Sequence, residues 1–313
     1  MIIMDNNKNE TRFLMVDRIV EYQGKYLIYV FGNSEMDETL RERKIHEYHR
    51  INDTFSDARV IAVKQSKSDN SFLITDNNGL KKVKMTFNEY QKIFNDENNS
   101  FNPTPSKPLG EKKESNDDKF VTSFLTKITG KDFIGDDEGV KITEELLGQN
   151  NTHGFDLDVF DSKSKIVYEF LRRKSPSVDN LTAHPMRYAW NSSNIDNRRK
   201  FISLWHFCQH FDLKLVFISY STSDEVDNNI VKLIIPELID DDKGFQKDTE
   251  YCLNKEELFS LVQAPNPIQT LNNNPFPSIC LTAQDLNNNN NKFNFKSKLQ
   301  KWRDSLLKNH RYY

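Results

Sequence analysis

The sequence predicts an α/β chain, α+β overall, in which a small N-terminal α+β module precedes a mixed sheet flanked by helices. Three observations predict it. Runs rich in β-branched and aromatic residues alternate with charged segments of helical spacing. Residues 98–118 (NNSFNPTPSKPLGEKKESNDD) carry Pro103, Pro105 and Pro108, then charge and serine, which is linker composition. Hydrophobic residues are 36% of the 313, and 22 Phe with 11 Tyr supply large buried areas, unlike a disordered chain. The expected division is therefore a recognition or adaptor module over 1–97, a linker over 98–118 and a second domain over 119–313.

In chain order, residues 12–20 and 25–31 are rich in strand formers, and 21–24 between them suggests a hairpin. The charged segment 36–51 has helical spacing. Residues 58–64, 71–75 and 82–87 read as strands, with a turn at 76–79 and a closing helix over 87–94. After the linker, 119–128 has helical periodicity, and 140–147 fits strand or helix equally. Residues 155–160 and 166–171 form a strand pair, 195–211 a long helix, 213–220 a buried strand and 230–235 a further strand. The stretch 240–290 reads as loop-rich, and 293–308 as a basic helix.

Composition removes several function classes. The net charge of −3 provides no whole-chain field for a polyanion, so binding to nucleic acid must use local patches. Cysteines at 208, 252 and 280 are odd in number and widely spaced, unsuited to a disulfide framework or a thiolate zinc site, which points to a reducing, cytoplasmic setting. No basic-then-apolar leader opens the chain, and no apolar run reaches the length of a membrane span. Asparagine runs at 272–274 and 287–291 are compositional bias. No phosphate-binding loop, dinucleotide fingerprint or nucleophile elbow occurs.

The informative segment is 154–174, GFDLDVFDSKSKIVYEFLRRK, a predicted hairpin turning around 162–165. Strand alternation puts Phe155, Leu157, Val159, Ile166, Tyr168 and Phe170 on one face, and Asp156, Asp158, Phe160, Val167, Glu169 and Leu171 on the other. A two-residue turn sets Asp156 opposite Glu169; a four-residue loop sets Asp158 there. A three-residue loop would mix acids into the apolar face. Carboxylates directly opposed are about 5 Å apart, close enough for one hard cation to bridge. Without a cation or a proton they repel. An amphipathic hairpin with a solvated acidic face is the competing structural reading.

This segment resembles the PD-(D/E)XK nuclease superfamily over about residues 119–235. Asp158 (or Asp156) resembles the family's first acid and Glu169 its second, with 195–211 and 213–220 similar to the helix and strand that follow. The family's lysine falls at Leu171. The resemblance implies that Arg173 or Lys174 takes its role, and Lys200 on the following helix can also reach inward. It implies Mg²⁺, with Mn²⁺ able to substitute, held by Asp158, Glu169 and Asp156, with Glu144 from an earlier helix as an extra acid. It also implies phosphodiester hydrolysis through a polarised phosphate and an activated water.

Local charge fits such a partner. Residues 163–200 hold nine Lys or Arg against three acids. Arg172, Arg187, Arg198, Arg199 and Lys200 are the candidate DNA contacts, joined by His184, which can touch a phosphate or assist proton transfer. Residues 292–313 repeat the excess, seven against one, with aromatics interleaved. His206 and His210 are one helical turn apart but lack the glutamate of a metalloprotease helix. The expectation is a restriction-type DNA endonuclease with no membrane association, acting as a homodimer if both strands are cut. The rivals are an inactive nuclease-fold module that binds nucleic acid and a protein–protein adaptor.

Overall fold

The computed structural model describes residues 12–36, 38–76, 79–99, 107–108, 119–129, 138–148, 151–152, 154–173, 184–190, 195–221, 230–273 and 278–282. Its elements are β1 (Phe13–Tyr22), β2 (Lys25–Asn33), α1 (Glu38–Thr54), β3 (Arg59–Ser66), β4 (Ser71–Asp76), β5 (Gly79–Thr86), α2 (Phe87–Asn99), β6 (Lys107–Pro108), α3 (Lys119–Thr129), α4 (Glu138–Leu147), β7 (Asn151–Thr152), β8 (Phe155–Asp161) and β9 (Ile166–Arg173). A single π-helical turn, Met186–Trp190, follows. Then come α5 (Ile195–His210), β10 (Lys214–Ser221), β11 (Ile230–Asp240), β12 (Gly244–Asn254), α6 (Lys255–Gln263), α7 (Pro267–Asn273) and β13 (Ser278–Thr282). Among the described residues, no helix is long and apolar enough to cross a membrane.

The chain forms two compact units, Met1–Gly110 with Thr129–Lys163, and Glu111–Ile128 with Ser164–Tyr313. The cut at 110/111 falls within the expected linker, 98–118, but residues 129–163 join the first unit and depart from a second domain over 119–313. Residues 98–99 end α2 and Lys107–Pro108 form β6, while the rest of that stretch lies outside the described residues, as does 293–308. The reason for the departure is long-range pairing. Strand β8 pairs antiparallel with β1, and α4 packs on β1, β2 and α2, so both join the first unit. Linker composition marks a polar stretch but says nothing about which sheet a later strand enters.

In the first unit the strand order is β8-β1-β2-β3-β4-β5, antiparallel except for the parallel β2–β3 step across α1. The β1–β2 turn is Gln23-Gly24, both at positive φ (52° and 74°), the two-residue geometry that matches strand twist. Leu27, Tyr29 and Phe31 of β2 pack with Tyr90 and Phe94 of α2 and Ile142 and Leu146 of α4. The alternate residues Ile28 and Val30 are also buried, and α1 packs on β2, so the sheet is covered on both faces. Helix α1 is anchored there by an ion pair, Lys44 Nζ to Asp17 at 2.8 Å, with Asp17 also accepting from the Phe31 amide.

In the second unit the order is β13-β12-β11-β10-β9, with β9 and β10 parallel across α5 and the remaining pairs antiparallel. Phe120 and Phe124 of α3 pack against Phe170 and Tyr220, and Phe124 meets Phe259 of α6. Helix α5 covers the opposite face, with Phe201 edge-on to Phe217. The α/β expectation of a mixed sheet flanked by helices therefore holds in each unit. The loop-rich reading of 240–290 does not, because β12, α6, α7 and β13 lie within it. Strand β12 buries Asp248 and Glu250, which inverts the polar-out pattern that marks a strand. Helix α6 carries a legible signal, the Asn254–Glu257 capping box.

Candidate functional site

Register in the second unit sets one charged row across the sheet. Glu169 on β9 is the cross-strand partner of Phe217 on β10, which partners Ile234 on β11, which partners Glu250 on β12. The neighbouring row on the same face is Leu171, Ser219, Lys232 and Cys252. Helix α5 and the π turn lie over this face. Interior strands of a sheet covered on both sides are normally apolar throughout, so charges here must be paired.

The densest group is His184, Asp248, Glu250 and Lys232, each at most 1% exposed. Asp248 and Glu250 alternate on β12 and so share a face. Lys232 Nζ lies 3.0 Å from Glu250 Oε1. His184 Nε2 lies 3.2 Å from Asp248 Oδ2 and 3.7 Å from Glu250 Oε1. The ligand atoms of His184, Asp248 and Glu250 are all within 4.8 Å of one another, a group that can hold a metal ion. Burial raises the Glu250 carboxyl pKa above its ordinary range; Lys232 opposes this and Asp248 adds to it.

Local structure holds the histidine. The Met186 amide donates to His184 Nδ1 at 3.0 Å, so Nδ1 carries the lone pair and the neutral ring keeps its proton on Nε2, aimed at Asp248. The π turn sits on Gly244, whose φ is +78°, and a Cβ there would stand 2.6 Å from Met186 Sδ and 2.7 Å from Trp190 Cδ2. Trp190 packs on Phe201 and Phe245, and its Nε1 donates to the Asp241 carbonyl at 3.2 Å. Single π turns occur frequently at functional sites.

The residues predicted from sequence fall in two units. Asp156 is exposed, Asp158 half-buried, and both belong to the first unit; Glu169 belongs to the second, so neither unit by itself contains the expected carboxylate pair. Glu169 does not stand on a solvated acidic face. It is 3% exposed, with Val167 and Leu171 buried beside it, and Lys200 Nζ lies 2.7 Å from its Oε1. Glu144 is half-buried on α4, in the first unit.

His184 is not a surface phosphate contact, because it is enclosed in the core. Arg198 Nε donates to the Asp241 carbonyl at 3.0 Å and its guanidinium pairs with Asp242, tying α5 to the β11–β12 turn. Arg172 and Arg199 are half-buried. The side chains of Arg173 and Arg187, and all of Lys174, lie outside the described residues. His206 is exposed and meets Asp241 at 2.9 Å, and His210 packs edge-on against Phe211. Sequence reasoning missed Asp248, Glu250 and Lys232. The available signal was Lys232 alone in the apolar run IVKLII, since a lysine there must find a carboxylate.

Compared with known proteins, the chain matches no family model, no curated protein and no solved structure.

Proposed function

We propose that this protein is a metal-dependent nuclease that hydrolyses phosphodiester bonds in DNA, using Mg²⁺ with Mn²⁺ able to replace it. The observation that carries the reading is Lys200 Nζ at 2.7 Å from Glu169 Oε1. It supplies from α5 the cationic group missing at Leu171, next to the acid that the resemblance makes a metal ligand. The parallel β9–α5–β10 crossover supports the same reading, since a helix and then a strand follow the acidic strand in that superfamily. Asp158, or Asp156, enters as the second acid through the sequence resemblance alone. The cation would polarise the phosphate and lower the pKa of the attacking water, and the Lys200 ammonium would offset charge developing on the phosphoryl oxygens.

A second reading is an inactive nuclease-fold module that binds DNA without cutting it. The burial of both Glu169 and Leu171 favours it, because a carboxylate that substrate and water do not reach cannot serve a reaction. The full chain incubated with supercoiled plasmid and single-stranded oligonucleotide, with Mg²⁺, Mn²⁺ or chelator, separates the two. The nuclease reading expects cation-dependent nicking that Glu169→Gln and Lys200→Met abolish, with DNA retention kept in Glu169→Gln. Retention without cleavage of any substrate leaves the binding module. No retention at low salt leaves a protein–protein adaptor. A reducing cytoplasmic location belongs to the proposal, and the free, buried thiol of Cys208 is compatible with it.

A further inference from the structure

We propose that the carboxylates of Asp248 and Glu250 hold a hard divalent cation of their own, Mg²⁺ or Mn²⁺. This does not rest on the nuclease reading. Glu169 and Glu250 occupy one row with β10 and β11 between them, a separation of about 14 Å at ordinary strand spacing, so one ion cannot serve both.

Four features of the cluster support the ion. Among the described residues, Glu250 Oε2 has no hydrogen-bond partner, although the residue is 1% exposed. A buried carboxylate oxygen is normally satisfied. Among the described residues, the Asp248 and Glu250 carboxylates lie beside one ammonium, that of Lys232, and the imidazole Nδ1 accepts from the Met186 amide. A divalent cation would add positive charge beside these carboxylates. His184 offers Asp248 an N–H and not a lone pair, so the donor set is carboxylate oxygen, which selects a hard cation over zinc. The imidazole then orients Asp248 from outside the coordination shell. Lastly, the Asp248 and Glu250 oxygens of that group lie within 4.8 Å of one another, the scale of one coordination sphere.

Lys232 makes the proposal specific. The Lys232 ammonium, 3.0 Å from Glu250, competes with a cation bound to that carboxylate. Removing that ammonium must tighten binding of the ion.

The test is a Mn²⁺ titration of the full chain at neutral pH, read from the electron paramagnetic resonance of free Mn²⁺, with circular dichroism reporting the fold of each variant. Glu169→Gln is expected to keep one Mn²⁺ per chain, which Glu169→Gln/Glu250→Gln and Glu169→Gln/Asp248→Asn lose. Lys232→Met is expected to bind about tenfold more tightly than the unsubstituted chain. Retention of that Mn²⁺ in folded Glu169→Gln/Glu250→Gln, or no Mn²⁺ in Glu169→Gln, overturns the proposal. Should the Glu250 variant fail to fold, Lys232→Met decides: tighter binding supports the site and unchanged binding overturns it. Absence of DNA cleavage leaves these outcomes untouched, so the two proposals fail separately.

Discussion

Lys200 Nζ stands 2.7 Å from Glu169 Oε1, linking the crossover helix α5 to the strand β9 that precedes it. The carboxylate is almost wholly buried and the lysine partly so. Breaking a buried ion pair from one side costs ~3 kcal/mol. Glu169→Gln and Lys200→Met are each expected to lower unfolding free energy by that order, and the double variant by clearly less than their sum. Urea unfolding of the four proteins measures the coupling; additive losses would show that the pair is not formed.

Gly244 is expected to be intolerant of a side chain. Its φ of +78° is strained for any L-residue, and a Cβ would press on Met186 and Trp190. Gly244→Ala should cost on the order of 2 kcal/mol or more, lower the Tm, and shift the tryptophan emission as Trp190 moves. An unchanged Tm and spectrum would mean that the π turn is not seated on this glycine.

The imidazole of His184 is expected to be neutral with its proton on Nε2. The Met186 amide occupies Nδ1, and Asp248 faces Nε2. Nitrogen-15 shifts and two-bond couplings of the labelled side chain distinguish this tautomer from its alternative. A spectrum with Nδ1 protonated contradicts the geometry, and would reopen His184 as a nitrogen ligand.

Glu97 predicts a pH dependence in the first unit. Burial raises its carboxyl pKa, against the lowering effects of the Tyr29 hydroxyl, which donates at 2.6 Å, and of Arg59. A carboxyl with a raised pKa in the folded state binds its proton more tightly there than when unfolded. Its contribution is complete below the ordinary carboxyl pKa and is lost as pH rises through the folded value. The urea midpoint should therefore fall across that window, and Glu97→Gln should flatten the fall. A Glu97→Gln profile parallel to that of the unsubstituted chain would remove Glu97 as the cause.

Most elements were legible because their signals are local. The β1–β2 hairpin, α1, β3 to β5, α5 and β10 all follow from apolar periodicity and turn residues within a few positions. The 140–147 segment, ambiguous by pattern, is a helix because Ile142, Leu146 and Leu147 meet one core, at helical and not alternating spacing. Strand β12 was hidden because its acids point inward, where a binary pattern reads them as solvent-facing.

The candidate site was legible only in part. Glu169 and the helix bearing Lys200 were legible as elements, since an acid in an apolar strand followed by a helix is a short-range pattern. The burial of Glu169 was not legible, because it follows from parallel pairing with β10 and the cover of α5.

By itself, the sequence determined the order and type of most elements and marked Glu169 as a charge needing a partner, because periodicity and charge act over a turn or a strand. Only the tertiary structure decided which charges meet. His184 and Asp248 are 64 positions apart, and Lys232 reaches Glu250 across a ladder. Those encounters follow from strand order and register, which many distant contacts set together and no local window contains.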